Sequence, residues 1–113
     1  MEVTPQITAG TGFIYSDINF IALGSLVEHL SGQTLADYAL QHILVPLGGI
    51  HFCFTPSREM RHVIAPTQYD ENGMMLRGVV HDPTARRMGR VSGNAGLFSD
   101  ADDITLYAQT LLN

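Results

Sequence analysis

The most constraining feature of this sequence is a run of mostly apolar residues, Ile18–Leu30, between helix start and stop signals. Asp17 precedes the run and is predicted to be the N-cap, because its carboxylate can accept from the first unpaired backbone N–H groups. Gly32 follows the run and suits the left-handed conformation that ends many helices. The polar residues of the predicted helix form one narrow stripe: Ser25, Glu28 and His29. A helix this apolar belongs inside a larger body that covers most of its sides.

A second helix is predicted directly after the first. Thr34 is expected to cap a helix from Leu35 to about Val45, with Asp37 as its partner in a short capping box. Pro46 stops the helix, because proline cannot continue helical hydrogen bonding. The predicted inner face consists of these residues: Leu35, Tyr38, Ala39, His42 and Ile43.

A third helix and a hairpin are predicted in the second half of the chain. Apolar residues recur at helical spacing over residues 101–112, and Ser99 or Asp100 precedes them as the N-cap. Asn72-Gly73 separates two strand-like runs and is typical of a two-residue hairpin turn, because both positions tolerate positive φ. Pro66 lies in the first of these runs. Because proline cannot donate a backbone hydrogen bond, this run is predicted to be an edge strand of the sheet.

These elements predict a mainly α fold, α+β at most. It has three main helices, near residues 18–31, 34–45 and 101–112, and one small β-hairpin. Residues 1–12 and 81–98 are predicted to be irregular, and residues 51–62 to contain at most one turn. A length of 113 residues fits one domain.

Charge and composition exclude several classes of function. The net charge is −5, and all 6 basic residues are arginines, so the sequence contains no lysine. An acidic chain with scattered arginines binds a phosphate backbone poorly, which argues against a nucleic-acid partner. No apolar run reaches the roughly 18 residues of a membrane segment, and residues 1–10 lack a signal-peptide pattern.

The sequence predicts neither a metal site nor a cofactor. The histidines stand at positions 29, 42, 51, 62 and 81, and no two of them have the i, i+4 or H-x-H spacing of a zinc site. The glycine-rich segment Gly93–Gly96 lacks the Rossmann spacing between strand and helix. We expect this segment to be a closely packed loop.

Tyr15, Ser16 and Asp17 have catalytic potential, because they stand where the N-terminal loop enters the first helix. The positive end of the helix dipole favours a phenolate at this place, and a neighbouring cation would favour it further. A tyrosine activated in this way can act as a base. The structural alternative, in which Asp17 caps the helix and Tyr15 is a packing residue, stays open at this point.

Several segments carry a family resemblance. They are GFIYSDINFIALG (residues 12–24), SGQTL (31–35), PLG (46–48), VHDP (80–83), GNAGLFS (93–99) and DDI (102–104). In this order they resemble the serine β-lactamase and penicillin-binding-protein-like hydrolases. The resemblance is closest to the branch with class C β-lactamases, D-alanyl-D-alanine carboxypeptidases and related esterases, and it covers the chain from about residue 10 to residue 113.

The resemblance implies an active site of three elements. S-x-x-K carries the nucleophilic serine and a lysine that helps to deprotonate it, Y-x-N carries a tyrosine for proton transfer, and a K-T-G or H-x-G strand lines the opposite wall. Tyr15-Ser16-Asp17 matches the second element, which makes Tyr15 and Asp17 the predicted catalytic residues. Asp17 stands where asparagine is commoner, and a carboxylate cannot donate the hydrogen bond of an amide. The first and third elements are expected before Met1 and beyond Asn113, because a chain without lysine cannot contain S-x-x-K.

The resemblance therefore implies that residues 1–113 are a single partial domain, the mainly helical part of a serine hydrolase. Only the complete domain is expected to act on a small-molecule substrate, which is a β-lactam, a D-Ala-D-Ala peptide or a simple ester. The chain alone is expected to be inactive and to form a homo-oligomer through exposed apolar faces of its first helix. A different class of function also stays open, in which the chain is a stand-alone binding or oligomerising module.

Overall fold

The computed structural model describes residues 4–112. In chain order the elements are α1 (Asp17–Ser31), α2 (Leu35–Ala39) with a π-helical continuation (Leu40–Leu44), a 3-10 helix (Glu59–His62), strands β1 (Pro66–Tyr69) and β2 (Met75–Arg77), α3 (Pro83–Arg87) and α4 (Ala101–Leu112). The fold is mainly helical with a two-stranded sheet, as the sequence predicts. Within the described part of the chain, every helix is too short or too polar to cross a lipid bilayer.

Helix α1 begins one residue earlier than predicted, and Ser16 rather than Asp17 is its N-cap. Ser16 has an extended backbone (φ −152°, ψ 124°), and its side chain makes no capping hydrogen bond. Asp17 lies in the first helical turn, where its negative charge interacts favourably with the helix dipole. The predicted end is confirmed, because Gly32 has φ 70° and donates its N–H to the carbonyl of Glu28. The Asp17 carboxylate therefore has no capping role and is free to bind another group.

Helix α2 begins as predicted. Thr34 Oγ1 accepts from the backbone N–H of Asp37 at 3.1 Å and donates to Asp37 Oδ2 at 2.7 Å. The first turn is also tied to α1, because Glu28 Oε1 accepts from the N–H of Leu35 at 2.9 Å. Helices α1 and α2 therefore form one connected unit.

The predicted inner face of the second helix is wrong in its last turn. Residues 40–44 are π-helical, and the N–H of Val45 donates to the carbonyl of Leu40 at 2.9 Å. A π-helical turn takes up one residue more than an α-helical turn, so it changes which residues face inward. Leu44 is buried, whereas His42 and Ile43 are exposed.

The predicted hairpin is present, but its turn differs from the predicted type. The N–H of Gly73 donates to Asp70 O at 3.0 Å, and the N–H of Asp70 donates to Met74 O at 2.8 Å. Gly73 has φ 74°, whereas Asn72 does not adopt positive φ. The connection is thus a three-residue loop with glycine in the left-handed position rather than a two-residue Asn-Gly turn. Pro66 is the first residue of β1 and lies at a sheet edge, as predicted.

Helix α3 lies in a segment that is predicted to be irregular. Asp82 caps it by accepting from the N–H of Ala85 at 2.6 Å, and Pro83 occupies the first turn. Asp-Pro is a recognised helix start, so the sequence contained a signal for this helix. Helix α4 has the predicted bounds, and its N-cap is Asp100, whose Oδ1 accepts from the N–H of Asp103 at 2.9 Å.

The glycine-rich loop packs closely against α1, as predicted. A side chain at Gly93 would collide with the carbonyl oxygen of Phe20. A Cβ at Gly24 would lie 3.1 Å from Gly93 N and from Leu35 Cδ2. The two glycines allow the loop backbone to cover the side of α1 that carries Gly24.

The chain has only a small core. The buried hydrophobic residues are Leu44, Phe52, Val80 and Ala85, and no large side chain is fully buried among residues 4–112. The Cα radius of gyration is 15.9 Å, whereas a compact chain of this length has about 13 Å. With extents of 46 × 42 × 28 Å, the molecule is flat and leaves apolar helix sides exposed.

Candidate functional site

Tyr15 and Asp17 interact directly at the N-terminus of α1. The Tyr15 hydroxyl donates to Asp17 Oδ1 at 3.1 Å. Tyr15 is 69% exposed, and its ring centroid lies 6.2 Å from that of Phe20. The structure therefore brings the two predicted site residues together at the edge of the fold, with the tyrosine accessible.

Asp17 raises the pKa of Tyr15 above its usual value of 10.0. The hydrogen bond to the carboxylate contributes most, the negative charge of Asp17 adds to it, and a small desolvation acts in the same direction. The expectation that the helix dipole favours a phenolate is thus wrong for this chain, because a carboxylate in contact outweighs the dipole. Tyr15 keeps its proton at neutral pH, and a nearby cation would lower its pKa.

The Tyr15–Asp17 pair can move a proton but cannot perform acyl transfer by itself. Covalent catalysis needs a nucleophile, a base and oxyanion donors within hydrogen-bond reach of one another. Asp17 accepts hydrogen bonds only, and the sequence contains no lysine to activate a serine. The pair by itself is therefore not a complete site for acyl transfer.

The sequence does not predict a second group of polar side chains, because its members lie far apart along the chain. The group consists of His51, Asp100 and Asp103. His51 Nδ1 lies 2.6 Å from Asp100 Oδ2, and the backbone N–H of His51 donates to Asp103 Oδ2 at 2.7 Å. One atom from each side chain lies within 4.8 Å of the others, a spacing that a cation site also requires. Each carboxylate already has a structural partner, since Asp100 caps α4 and the buried Asp103 holds the backbone at His51. The group attaches the loop before β1 to the start of α4.

An open cavity of about 820 Å³ borders this group. Its walls include His51, Cys53, Thr67 and His81, whereas Tyr15 lies outside it. Burial raises the pKa of the Cys53 thiol, which makes the reactive thiolate rarer at neutral pH. Cys53 therefore has the character of a structural residue rather than of a nucleophile.

Comparison with known proteins identifies the family. The sequence model of the family described as Beta-lactamase matches residues 1–113. The chain belongs to the β-lactamase family. The match includes the Tyr15–Asp17 pair, and it confirms the resemblance that the sequence segments carry.

Two relatives are similar over most of this β-lactamase-family chain. An Escherichia coli (strain K12) protein named as a D-alanyl-D-alanine carboxypeptidase is 38% identical over 121 aligned positions, which cover 92% of this chain and 27% of the relative. A Bacillus subtilis (strain 168) protein named N-acetylmuramyl-L-alanine amidase is 35% identical over 122 positions, with coverage of 92% and 27%. The chain thus spans about a quarter of the length of the curated relatives that it matches.

The fold is also found in a solved structure, that of the octameric penicillin-binding protein homologue from Pyrococcus abyssi. The TM-score is 0.61 at 23% sequence identity, and the match covers 89% of this chain and 22% of that protein. The likeness confirms the fold class, because this β-lactamase-family segment has the same arrangement as part of a penicillin-binding-protein-like fold.

Proposed function

We propose that this chain forms one wall of a serine hydrolase site of the β-lactamase family, with Tyr15 in proton transfer and Asp17 as its partner. The nucleophilic serine and its lysine are supplied by an S-x-x-K element outside these 113 residues, and a K-T-G or H-x-G strand supplies the opposite wall. The 3.1 Å hydrogen bond between Tyr15 and Asp17 at the exposed start of α1 carries this proposal. The reaction class is acyl transfer to serine followed by hydrolysis.

Tyr15 is best suited to protonate the leaving group. Its raised pKa keeps the hydroxyl protonated at neutral pH. When the serine oxygen bonds to the carbonyl carbon and the C–N bond breaks, the leaving amine takes up a proton, which a positioned tyrosine can donate. The charge of the S-x-x-K lysine would lower the pKa of Tyr15 and let it recover the proton afterwards.

Of the three substrate classes, a peptide with a terminal D-Ala-D-Ala is favoured. The names of the Escherichia coli and Bacillus subtilis relatives both denote cleavage of an amide bond at an alanine residue. We therefore propose an amide of this kind as the substrate, ahead of a β-lactam or a simple ester.

A chimera tests the role of Tyr15. This chain replaces the matched segment of the Escherichia coli relative, and release of D-alanine from a D-Ala-D-Ala peptide is measured. We expect Tyr15→Phe to lower kcat by about 100-fold or more with little change in KM, because only proton transfer is lost. Tyr69→Phe is the matched control, since Tyr69 is also an exposed tyrosine (61%) and lies in the hairpin. Equal kcat for the parent and Tyr15→Phe would refute the assigned role.

The chain by itself is expected to show no serine-dependent hydrolysis of a chromogenic cephalosporin or a nitrophenyl ester. Loss of the nucleophile and its activating group typically costs a serine hydrolase on the order of a millionfold in rate. Treatment with a fluorescent penicillin followed by mass spectrometry checks this directly. A covalent adduct on a serine of this chain, lost in Tyr15→Phe, would reveal a self-sufficient site and overturn the proposal.

A binding or oligomerising module is the second candidate, and the exposed apolar surface favours it. Large hydrophobic side chains such as Leu23 (56%), Leu30 (75%) and Leu111 (70%) are open to solvent on α1 and α4. We propose that the chain on its own forms a homo-oligomer through these faces, and the solved protein that shares its fold is described as octameric. Light scattering that finds a monomer at high concentration would contradict this.

A further inference from the structure

The loop of the hairpin contains the dipeptide Asn72-Gly73, which lies at the surface. Both residues are exposed, and their loop joins β1 to β2. Within residues 4–112 the carboxamide of Asn72 makes no hydrogen bond, whereas its backbone N–H donates to Asp70 Oδ1 at 2.9 Å. The carboxamide is therefore free to turn toward the backbone of the next residue.

Gly73 is the least hindered neighbour that this carboxamide can have. The backbone nitrogen of the following residue can attack an asparagine side chain, because the product is a five-membered ring. Gly73 has no Cβ to obstruct this approach. No atom beyond the adjacent residues lies within 4 Å of the place that a Cβ would occupy. Side chains therefore do not crowd the closing ring.

The two other asparagines of residues 4–112 lack this arrangement. Asn19 lies within α1, and the bulky Phe20 follows it. Asn94 is half-buried, its side chain accepts from Ser92 Oγ at 2.7 Å, and Ala95 follows it. These two asparagines serve as internal references for the reactivity of Asn72.

One hydrogen bond opposes the attack while the hairpin is closed. The N–H of Gly73 donates to Asp70 O at 3.0 Å, so the turn must open before this nitrogen can react. The strands have only 4 and 3 residues, every residue of β1 is exposed, and the register is irregular. A two-stranded hairpin of this kind is marginally stable in water, and exposed loops open at a small cost in free energy. Opening of the turn therefore leaves the reaction possible in the folded chain.

We propose that Asn72 is a site of spontaneous deamidation, a covalent modification that depends on neither the catalytic pair nor a partner. The Gly73 nitrogen gives its proton to solvent base and bonds to Cγ of Asn72. The Cγ–Nδ2 bond then breaks, and the side-chain nitrogen takes up a proton from water and leaves as ammonia. Water adds to either carbonyl of the resulting succinimide and opens the ring to aspartate or isoaspartate. Water is consumed, ammonia is released, and no electrons are transferred.

The modification acts on the contacts that close the loop. Asp70 Oδ1 accepts from the N–H groups of Asn72 and Met74 at 2.9 and 2.8 Å. Isoaspartate adds a carbon to the backbone between these two N–H groups, so they no longer fit one oxygen. Either product also places a new carboxylate beside Glu71, where like charges repel. Because Glu71 contacts Arg86 of α3 at 3.4 Å, the change reaches the contact between the hairpin and that helix.

Peptide mapping by mass spectrometry tests the proposal on the complete 113-residue chain after incubation at mildly alkaline pH. We expect the peptide with Asn72 to gain the mass difference between an amide and an acid, with isoaspartate among the products. The peptides with Asn19 and Asn94 should stay unchanged.

Two variants separate the chemistry of the site from the fold. Asn72→Gln is the matched control, because its longer side chain would have to close a six-membered ring, and it should react about tenfold more slowly or less. Gly73→Ala should slow the reaction by about the same factor, because its Cβ obstructs the attacking nitrogen. Circular dichroism establishes that both variants are folded. Reaction of both folded variants at the parent rate would overturn the proposal.

A synthetic peptide of residues 68–76 gives the rate without the hairpin. We expect Asn72 of the chain to react within about tenfold of this rate, because opening of the turn costs little free energy. A chain that stays intact while the peptide reacts would refute the proposal, since the hydrogen bond from Gly73 to Asp70 would then protect the site. Reaction of Asn94 at the same rate as Asn72 would also refute it, because unfolding of the whole chain would then explain the modification.

Discussion

The carboxylate of Asp17 lies 3.1 Å from the Tyr15 hydroxyl at a place where both side chains are open to solvent. Water screens such a contact, so its effect on the free energy of unfolding is small. Its effect on protonation is specific, however, because the hydrogen bond exists only while the phenol keeps its proton. At the residue scale, Asp17 therefore favours the protonated form of Tyr15.

We expect Asp17→Asn to lower the pKa of Tyr15 toward its usual value of 10.0, because the negative charge beside the hydroxyl is removed. In the parent chain the hydrogen bond is present below the ordinary pKa of tyrosine and is lost as the pH rises through the raised pKa. An NMR titration of the tyrosine ring signals measures this. Asp37→Asn is the control, since Asp37 contacts Thr34 and not a tyrosine. An unchanged Tyr15 pKa would contradict the assigned contact.

Arg90 has a strained backbone conformation. Its φ is 73°, a left-handed conformation that a residue with a Cβ adopts at a cost, and it directly follows Gly89 with φ 84°. We expect Arg90→Gly to raise the free energy of unfolding by about 1 kcal/mol, because glycine adopts this conformation without strain. Arg87→Gly in the last turn of α3 should instead lower stability. Thermal unfolding of the two variants gives the comparison, and a less stable Arg90→Gly variant would contradict it.

At the scale of elements, the segment around His51 and Cys53 joins the middle of the chain to the region of α4. Cys53 and Phe98 exchange two backbone hydrogen bonds, at 3.0 and 2.7 Å. Asp103 adds a third tie by accepting from the backbone of His51 at 2.7 Å. Because the hydrophobic core is small, these polar contacts position α4 more than they would in a larger domain.

We expect Asp103→Ala to lower the free energy of unfolding by about 2 kcal/mol, because it leaves a backbone N–H without its charged acceptor. Asp102→Ala, one residue earlier in the same helical turn, is the control and should have a much smaller effect, since Asp102 is exposed. Urea unfolding of both variants measures the difference. Similar losses for the two substitutions would show that helix charge, rather than the contact to His51, explains the effect.

At the scale of the whole molecule, a flat shape and a small core mean that unfolding exposes less new surface than usual. The accessible surface of 8403 Å² implies that folding buries about 20% less than a compact chain of the same mass would bury. The urea m-value scales with this newly exposed surface.

We therefore expect an m-value about 20% below that of a compact two-state protein of equal length, measured at a concentration at which the chain is monomeric. A compact protein of 113 residues is the reference. An m-value equal to the reference would mean that the chain buries its apolar helix sides in solution.

The sequence by itself determined the elements whose signals act over a few residues. Contacts within one helical turn explain the Thr34–Asp37 cap, Gly32 at the end of α1 and the bounds of α4. The family also follows from the sequence, because its segments stand in the same order in this chain. The Asp82-Pro83 start of α3 is an equally local signal.

Only the tertiary structure decided the contacts for which several local choices were open. Asp17 could cap α1 or bind Tyr15, and the conformation of the chain entering the helix selects the second. The π-helical turn after α2 changes which side chains point inward, as the burial of Leu44 shows. The backbone of His51 contacts the Asp103 carboxylate only because the chain folds back on itself. No spacing between residues in the sequence predicts this contact. Local hydrogen bonds join residues within one turn of the chain, so the local sequence predicts them. Such long-range contacts depend instead on how all elements pack together.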